Sequence, residues 1–179
     1  MASLGASGAV VGDVPEDPTC RHTTVPVSSQ AAMYAAVDWL FSKIPVRFPK
    51  LRICMSEGGI GWVAGLLDRF DHMNKYSAMY GTWEGIEMSP ADVFKRNFWF
   101  CAIDDPSSFL QTNVIGAENI MVESDYPHAD STWPHTQEKL HAQIGKLSKR
   151  SIERITWRNA SELFDLPVPK NIQKDPNAF

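Results

Sequence analysis

Carboxylates and one histidine carry most of the chemistry that this sequence can offer. In residues 119–134, NIMVESDYPHADSTWP, an apolar strand-like run ends abruptly in Asp125, and a polar, proline-bounded loop follows. Ile120, Met121 and Val122 favour burial and a carboxylate does not. Asp125 therefore ligates a metal, moves a proton, or ties down the turn that follows it. Glu57 in SEGGIG and Asp104 in AIDDP stand at the ends of two further strand-like runs. In a parallel α/β layout such ends converge on one face. Like charges gathered there cannot all stay ionised without a shared proton or cation, so convergence of Glu57, Asp104 and Asp125 implies a metal site or a raised pKa.

Each residue also has a plainer role open to it. Asp104 precedes Asp105, the more natural helix cap, and its simplest task is to accept backbone amide hydrogen bonds. Glu57 opens a Gly-Gly turn whose amides it could accept from. His128 lies three residues past Asp125 in the same loop, within reach of a shared ligand or a hydrogen bond. No two of the five histidines form a His-x-His pair. His72, His135 and His141 read as surface or packing residues. The glycines of SEGGIG match no phosphate-loop spacing.

The elements that must position these groups alternate between helix and strand from about residue 28, the pattern left by a parallel sheet with crossover helices. SSQAAMYAAVDWLFSKI predicts an amphipathic helix with Met33, Val37, Leu40, Phe41 and Ile44 on one face. LRICM, FWFCAI and NIMVES predict strands, the second buried on both faces. VAGLLDRFDHMNKYSAMY predicts a helix between the first two. SPADVFKRN predicts a short helix with Ser89 as N-cap and Pro90 at its first position. DPSSFLQTNVIG predicts another, capped by Asp105 and stopped by Gly116. From Pro134 to Leu166 the chain reads helical with a break at 145–148, and 167–179 read as a fraying tail. The stub MASL is a possible fourth strand. Arg150, Arg154 and Arg158 share a helical face that reads as solvated surface.

The bulk properties narrow the field. A chain of 179 residues supports one domain spanning 1–179 with a sizeable core. A net charge of -4 gives no electrostatic reason to bind nucleic acid or anionic lipid. Cys20, Cys54 and Cys101 are too few and too dispersed for a disulfide framework. No run is apolar enough to span a membrane and the start lacks a basic leader, so the expected location is cytoplasmic. A closed eight-stranded (β/α) barrel takes roughly 250 residues; the fold class expected is α/β, a partial TIM-type barrel of about half its strands.

ICMSEGGIGWVAGLLDRFD, FWFCAIDDP, NIMVESDYPHADSTWP and ITWRNASELFDL occur in the order and spacing of the amidohydrolase-related proteins that include aminocarboxymuconate-semialdehyde decarboxylase. The resemblance runs from about residue 3 to residue 166 and is to the C-terminal half of that family. It implies a (β/α) barrel, a divalent metal, most often zinc, and hydrolysis or decarboxylation of a small organic acid. It also implies that Asp125 is a metal ligand that orders the attacking water, and that Glu57 stands where many members carry a histidine that assists proton transfer. Ser3 falls where the family has a metal-binding histidine, and the first-strand His-x-His pair does not occur in the sequence. Catalytic zinc normally takes about three protein ligands.

The expected activity is therefore metal-dependent hydrolysis or decarboxylation, with Asp125, Glu57 and His128 in the site. The competing expectation is a non-catalytic half-barrel that binds or assembles. Both predict that open strand edges and an apolar face are covered by a second copy or a complementing half-barrel chain. Trp62, Tyr126 and Trp133 stand near strand ends, with core packing the first expectation for the two tryptophans.

Overall fold

The computed structural model describes residues 2–5, 27–76 and 81–174; Cys20 and His22 lie outside them. Four parallel strands form one sheet in chain order: β1 (Ala2–Gly5), β2 (Ile53–Ser56), β3 (Phe98–Ala102) and β4 (Ile120–Val122). The stub at the start of the sequence is thus a strand, paired with β2 from Ala2↔Ile53 to Gly5↔Ser56. Helices α1 (Ser29–Phe41) and α2 (Ile44–Arg47) precede β2, and α3 (Val63–Lys75) and α4 (Pro90–Asn97) precede β3. A 3-10 turn at Ser108–Gln111 runs into α5 (Thr112–Ile115) before β4. Beyond β4 come α6 (Thr136–Ile144), α7 (Lys149–Glu153), a π-turn at Arg154–Arg158, α8 (Asn159–Phe164) and α9 (Lys170–Lys174).

Local chemistry sets these boundaries. The Ser89 hydroxyl accepts from the Asp92 amide, Pro90 occupies the first turn, and α4 starts there as predicted. Gly116 ends α5 with φ 100°, a conformation that costs glycine little. Asp105 is not the side-chain cap expected of it. Its carbonyl accepts from the amides of Ser108 and Phe109, while its carboxylate turns back to the Ile103 amide. The tail expected to fray from residue 167 contains the short helix α9.

Alternation along the strands divides two clusters. Ile53, Met55, Phe98, Phe100, Ala102 and Ile120 belong to the main core, into which the helices send Leu40, Phe70, Phe94, Ile144 and Ile155. The intervening Cys54, Cys101 and Met121 pack with Leu163 of α8, Trp99 and Ala160 in a smaller cluster. That apolar face of the sheet, expected to lie open, is covered here by the chain's own last turns. Helix α1 buries Ala32, Ala36 and Leu40 most completely, with Met33, Val37 and Phe41 only partly covered. Small side chains are needed because the turn after β2 comes close: a Cβ on Gly58 would lie 2.7 Å from that of Ala32.

Three buried asparagines tie the strand entrances together. Asn97, before β3, donates to the carbonyls of Pro49 and Leu51 ahead of β2. Asn119, before β4, donates to those of Lys95 in the last turn of α4 and Phe98 at the start of β3. Asn159 in α8 donates to those of Ala117 and Ile120 at the start of β4. Each amide fills both of its donor positions on backbone acceptors that burial would otherwise leave unpaired.

Candidate active site at the strand ends

At the opposite end of the sheet, β2 and β4 turn out into loops through backbone that L residues rarely adopt. Glu57, immediately after β2, has φ 56°, and Asp125, shortly after β4, has φ 58°. Left-handed conformations in non-glycine residues cost about 1–3 kcal/mol and gather at sites that the surrounding structure holds in place. What holds the Glu57 turn is Glu123, a residue that strand-end reasoning passed over in favour of Asp125. Its carboxylate accepts the Ser56 hydroxyl at 2.7 Å and the Glu57 backbone amide. Burial raises its pKa above the ordinary glutamate value, opposed by those two hydrogen bonds and reinforced by the negative charges of Glu57 and Asp125. The signal was present in the sequence as VES: Glu123 lies an even step from Met121 and Asp125, on the same side of an extended chain.

The charges of Glu57 and Asp125 act on Glu123 closely enough to help raise its pKa, whereas Asp104 is engaged elsewhere. Asp104 accepts a hydrogen bond from the Gln143 side chain at 2.8 Å and pairs with Lys139 at 3.3 Å, both on α6. Its neighbour Asp105 is half-buried, and desolvation raises its pKa against the backbone hydrogen bonds of Ile103 and Ile60.

The loop after β4 brings His128 onto Asp125, Nδ1 to Oδ2 at 3.0 Å. The side chain of Asp125 is only 12% exposed and that of His128 is 59% exposed, so the pair spans from the wall of the site to its opening. Thr132 N–H and Ser131 Oγ both donate to the Ser124 carbonyl, closing the loop at its base. Closure folds Asp130 back as well. One ligand atom from each of Asp125, His128 and Asp130 lies within 4.8 Å of the others. Two carboxylate oxygens and an imidazole nitrogen suit zinc, manganese or magnesium by donor type. Asp130 was not foreseen, because a residue five positions beyond Asp125 is brought back only by the turn.

Of the two tryptophans expected to pack in the core, one does so and the other does not. Trp62 packs edge-on against Phe100, with ring centroids 5.6 Å apart, and its indole N–H donates to the Gly58 carbonyl. Trp133, expected in the core, is exposed and lies against the exposed Tyr126, with centroids 5.1 Å apart. The prolines after Tyr126 and Trp133, both on cis peptide bonds, frame a polar loop that has no apolar interior to receive an indole. His72, His135 and His141 are exposed, as expected.

Residues 7–166 match the family model for amidohydrolases. An amidohydrolase from Mycobacterium avium subsp. paratuberculosis K-10 superposes with a TM-score of 0.66 at 22% identity, over 82% of this chain and 36% of its own. A 5-carboxyvanillate decarboxylase from Sphingomonas paucimobilis gives 0.65 at 21% identity, over 78% of this chain and 41% of its own. No curated protein sequence matches. The chain thus spans well under half of each of these solved relatives, and its fold is a partial (β/α) barrel of the TIM type.

Proposed function

The chain belongs to the amidohydrolase family, and we propose that it contributes the acidic strand-end half of a site that hydrolyses or decarboxylates a small organic acid with a divalent cation. The observation that supports this best is the grouping of Asp125, His128 and Asp130 within 4.8 Å beside Glu123, whose pKa is raised by burial and by the charges of Glu57 and Asp125, with no lysine or arginine paired to these carboxylates among the described residues. A cation relieves such repulsion where burial prevents solvent from doing so.

Asp125, His128 and Asp130 would hold the cation, with zinc the first candidate, and when bound it supplies Lewis acidity toward a carbonyl or carboxylate oxygen. Glu57 takes the proton-transfer role, accepting or returning a proton at its carboxylate. Glu123 is a positioning residue, fixing Glu57 through its backbone amide. His128 orients Asp125 through their shared hydrogen bond. Edge strands β1 and β4 each have one strand neighbour among the described residues, so a complete barrel takes further strands, from a second copy or a complementing chain. No helix among the described residues is long and apolar enough to cross a membrane, and the free thiols Cys54 and Cys101 fit a reducing cytoplasm.

Elemental analysis of the purified protein beside Asp125→Ala tests the reading. Close to one zinc or manganese per chain, lost in the variant, supports it and justifies screening small carboxylic acids for carbon dioxide release and hydrolysis. Absence of metal from both proteins after incubation with either ion would overturn it and favour the non-catalytic assembly module.

A further inference from the structure

Below the carboxylates, on the same side of the sheet, two thiols meet. Cys54 of β2 and Cys101 of β3 are 2% and 5% exposed, and their sulfurs lie 3.6 Å apart. The register pairs Cys54 with Trp99 and Cys101 with Met121, so the cysteines sit on a diagonal between neighbouring strands and point to one side. Cys54 lies two residues before Ser56, and Met121, the partner of Cys101, lies two before Glu123. The thiol pair is thus one layer beneath the Ser56–Glu123 hydrogen bond. Leu163 and Ala160 of α8 cover it. Nothing in the proposed reaction uses either sulfur.

We propose that Cys54 and Cys101 are a redox-active pair that closes to an intrachain disulfide on exposure to a peroxide and reopens with a dithiol reductant. The two sulfurs are inequivalent. Their mutual contact lowers the pKa of Cys54 against burial, and the same contact, with burial and the charge of Glu123, raises that of Cys101. With Cys54 attacking and Cys101 resolving, or with the roles exchanged, the product is the same disulfide. In the first step, with Cys54 attacking, its sulfur displaces hydroxide from hydrogen peroxide: an S–O bond forms, the O–O bond breaks, and the hydroxide leaves as water with the thiol proton. In the second, the Cys101 sulfur attacks the sulfenic sulfur: the S–S bond forms, the S–O bond breaks, and the second water leaves with the Cys101 proton. Two thiols and one peroxide give one disulfide and two waters. Adjacent strands hold the sulfurs 3.6 Å apart, and closure brings them to the roughly 2.05 Å of a disulfide bond.

The test is mass-spectrometric and independent of catalysis. Folded wild-type protein is treated with hydrogen peroxide, then unfolded, alkylated with iodoacetamide and digested. The expected product is a linked pair of peptides carrying residues 54 and 101, lighter by two hydrogens and returned to two alkylated peptides by dithiothreitol. Cys54→Ser should leave Cys101 free and alkylated, and circular dichroism of that variant verifies its fold. The proposal is overturned if both thiols of the wild type stay alkylatable, if linkage to Cys20 takes the place of the pair, or if the 54–101 link forms only when denaturant precedes the peroxide.

Discussion

The two ends of the four-stranded sheet are built on opposite principles. At the strand entrances, Asn97, Asn119 and Asn159 each clamp two backbone carbonyls, and every amide donor is spent on structure. At the exits of β2 and β4, Glu123 feels the charges of Glu57 and Asp125, and among the described residues no lysine or arginine pairs with any of the three. One end spends its side-chain donors on backbone carbonyls, and the other keeps carboxylates whose charges oppose one another. Barrel enzymes divide stability from chemistry between the same two ends, and the proposed site follows that division.

The division is tested most severely at the entrances. Asn119→Ala leaves the carbonyls of Lys95 and Phe98 buried without their donor, and each unpaired buried group costs about 1–3 kcal/mol. Denaturant unfolding should therefore show a loss of about 2–5 kcal/mol, while metal bound per folded molecule stays unchanged. Loss of metal in a variant that remains folded would show that the two ends are not separable.

A smaller effect on stability and a larger one on the site are expected at Glu123. Truncation to alanine strips the acceptor from Ser56 Oγ and the Glu57 amide, at a cost of about 1–3 kcal/mol. Glu123→Gln keeps an acceptor and removes a charge that Glu57 and Asp125 repel, so its unfolding free energy should lie within about 1 kcal/mol of wild type. If Glu57 depends on this anchor, both variants should weaken activity, alanine more than glutamine. Equal activity in all three proteins would remove the positioning role.

Much of this contrast could be read from residue order, and the rest turned on contacts between distant segments. Ser89 followed by Pro90, and Gly116 after TNVI, fix helix ends by local chemistry, and FWFCA is apolar on both faces of its strand; such features need no tertiary information. Asp125 and His128 were legible because they stand three residues apart in one loop. Glu123 was not, since its role depends on Ser56 and Glu57, more than sixty residues away. The asparagines escaped for the same reason: a lone Asn near a strand reads as a turn former until the carbonyls it meets are known. Trp133 misled because hydrophobicity favours burial, but its loop leaves only Tyr126 for it to pack against. Ala32 is buried where the turn at Gly58 comes close to it, a contact between distant segments that helical periodicity does not reveal.

The exit of β3 separates position from chemistry, because Asp104 and Asp105 hold a strand end without joining the acidic group. Burial raises the Asp105 pKa, so the native state keeps its proton to higher pH than the unfolded chain. The unfolded state then binds fewer protons between the ordinary aspartate range and the raised native value, and stability from this group falls as pH climbs through that window. Asp105→Asn cannot ionise and still offers an acceptor to the Ile103 amide. Its unfolding free energy relative to wild type should rise with pH across the window and level off above it in a urea series. A constant difference would mean that Asp105 titrates alike in both states.

Asp104 should give the smallest response. Its carboxylate is about half exposed and meets Lys139 at 3.3 Å and Gln143 at 2.8 Å, contacts that solvent and salt screen and that contribute about 0–1 kcal/mol. Asp104→Asn keeps an acceptor for the Gln143 amide and gives up only the charge opposite Lys139. The expected outcome is a stability change within about 0.5 kcal/mol, shrinking further in high salt, with metal content unchanged. It stands two residues past the end of β3, and retained metal binding would place this strand-end carboxylate outside the proposed site. Metal lost on substitution of Asp104 would place β3 in the ligand set and extend the acidic group across three strands rather than two.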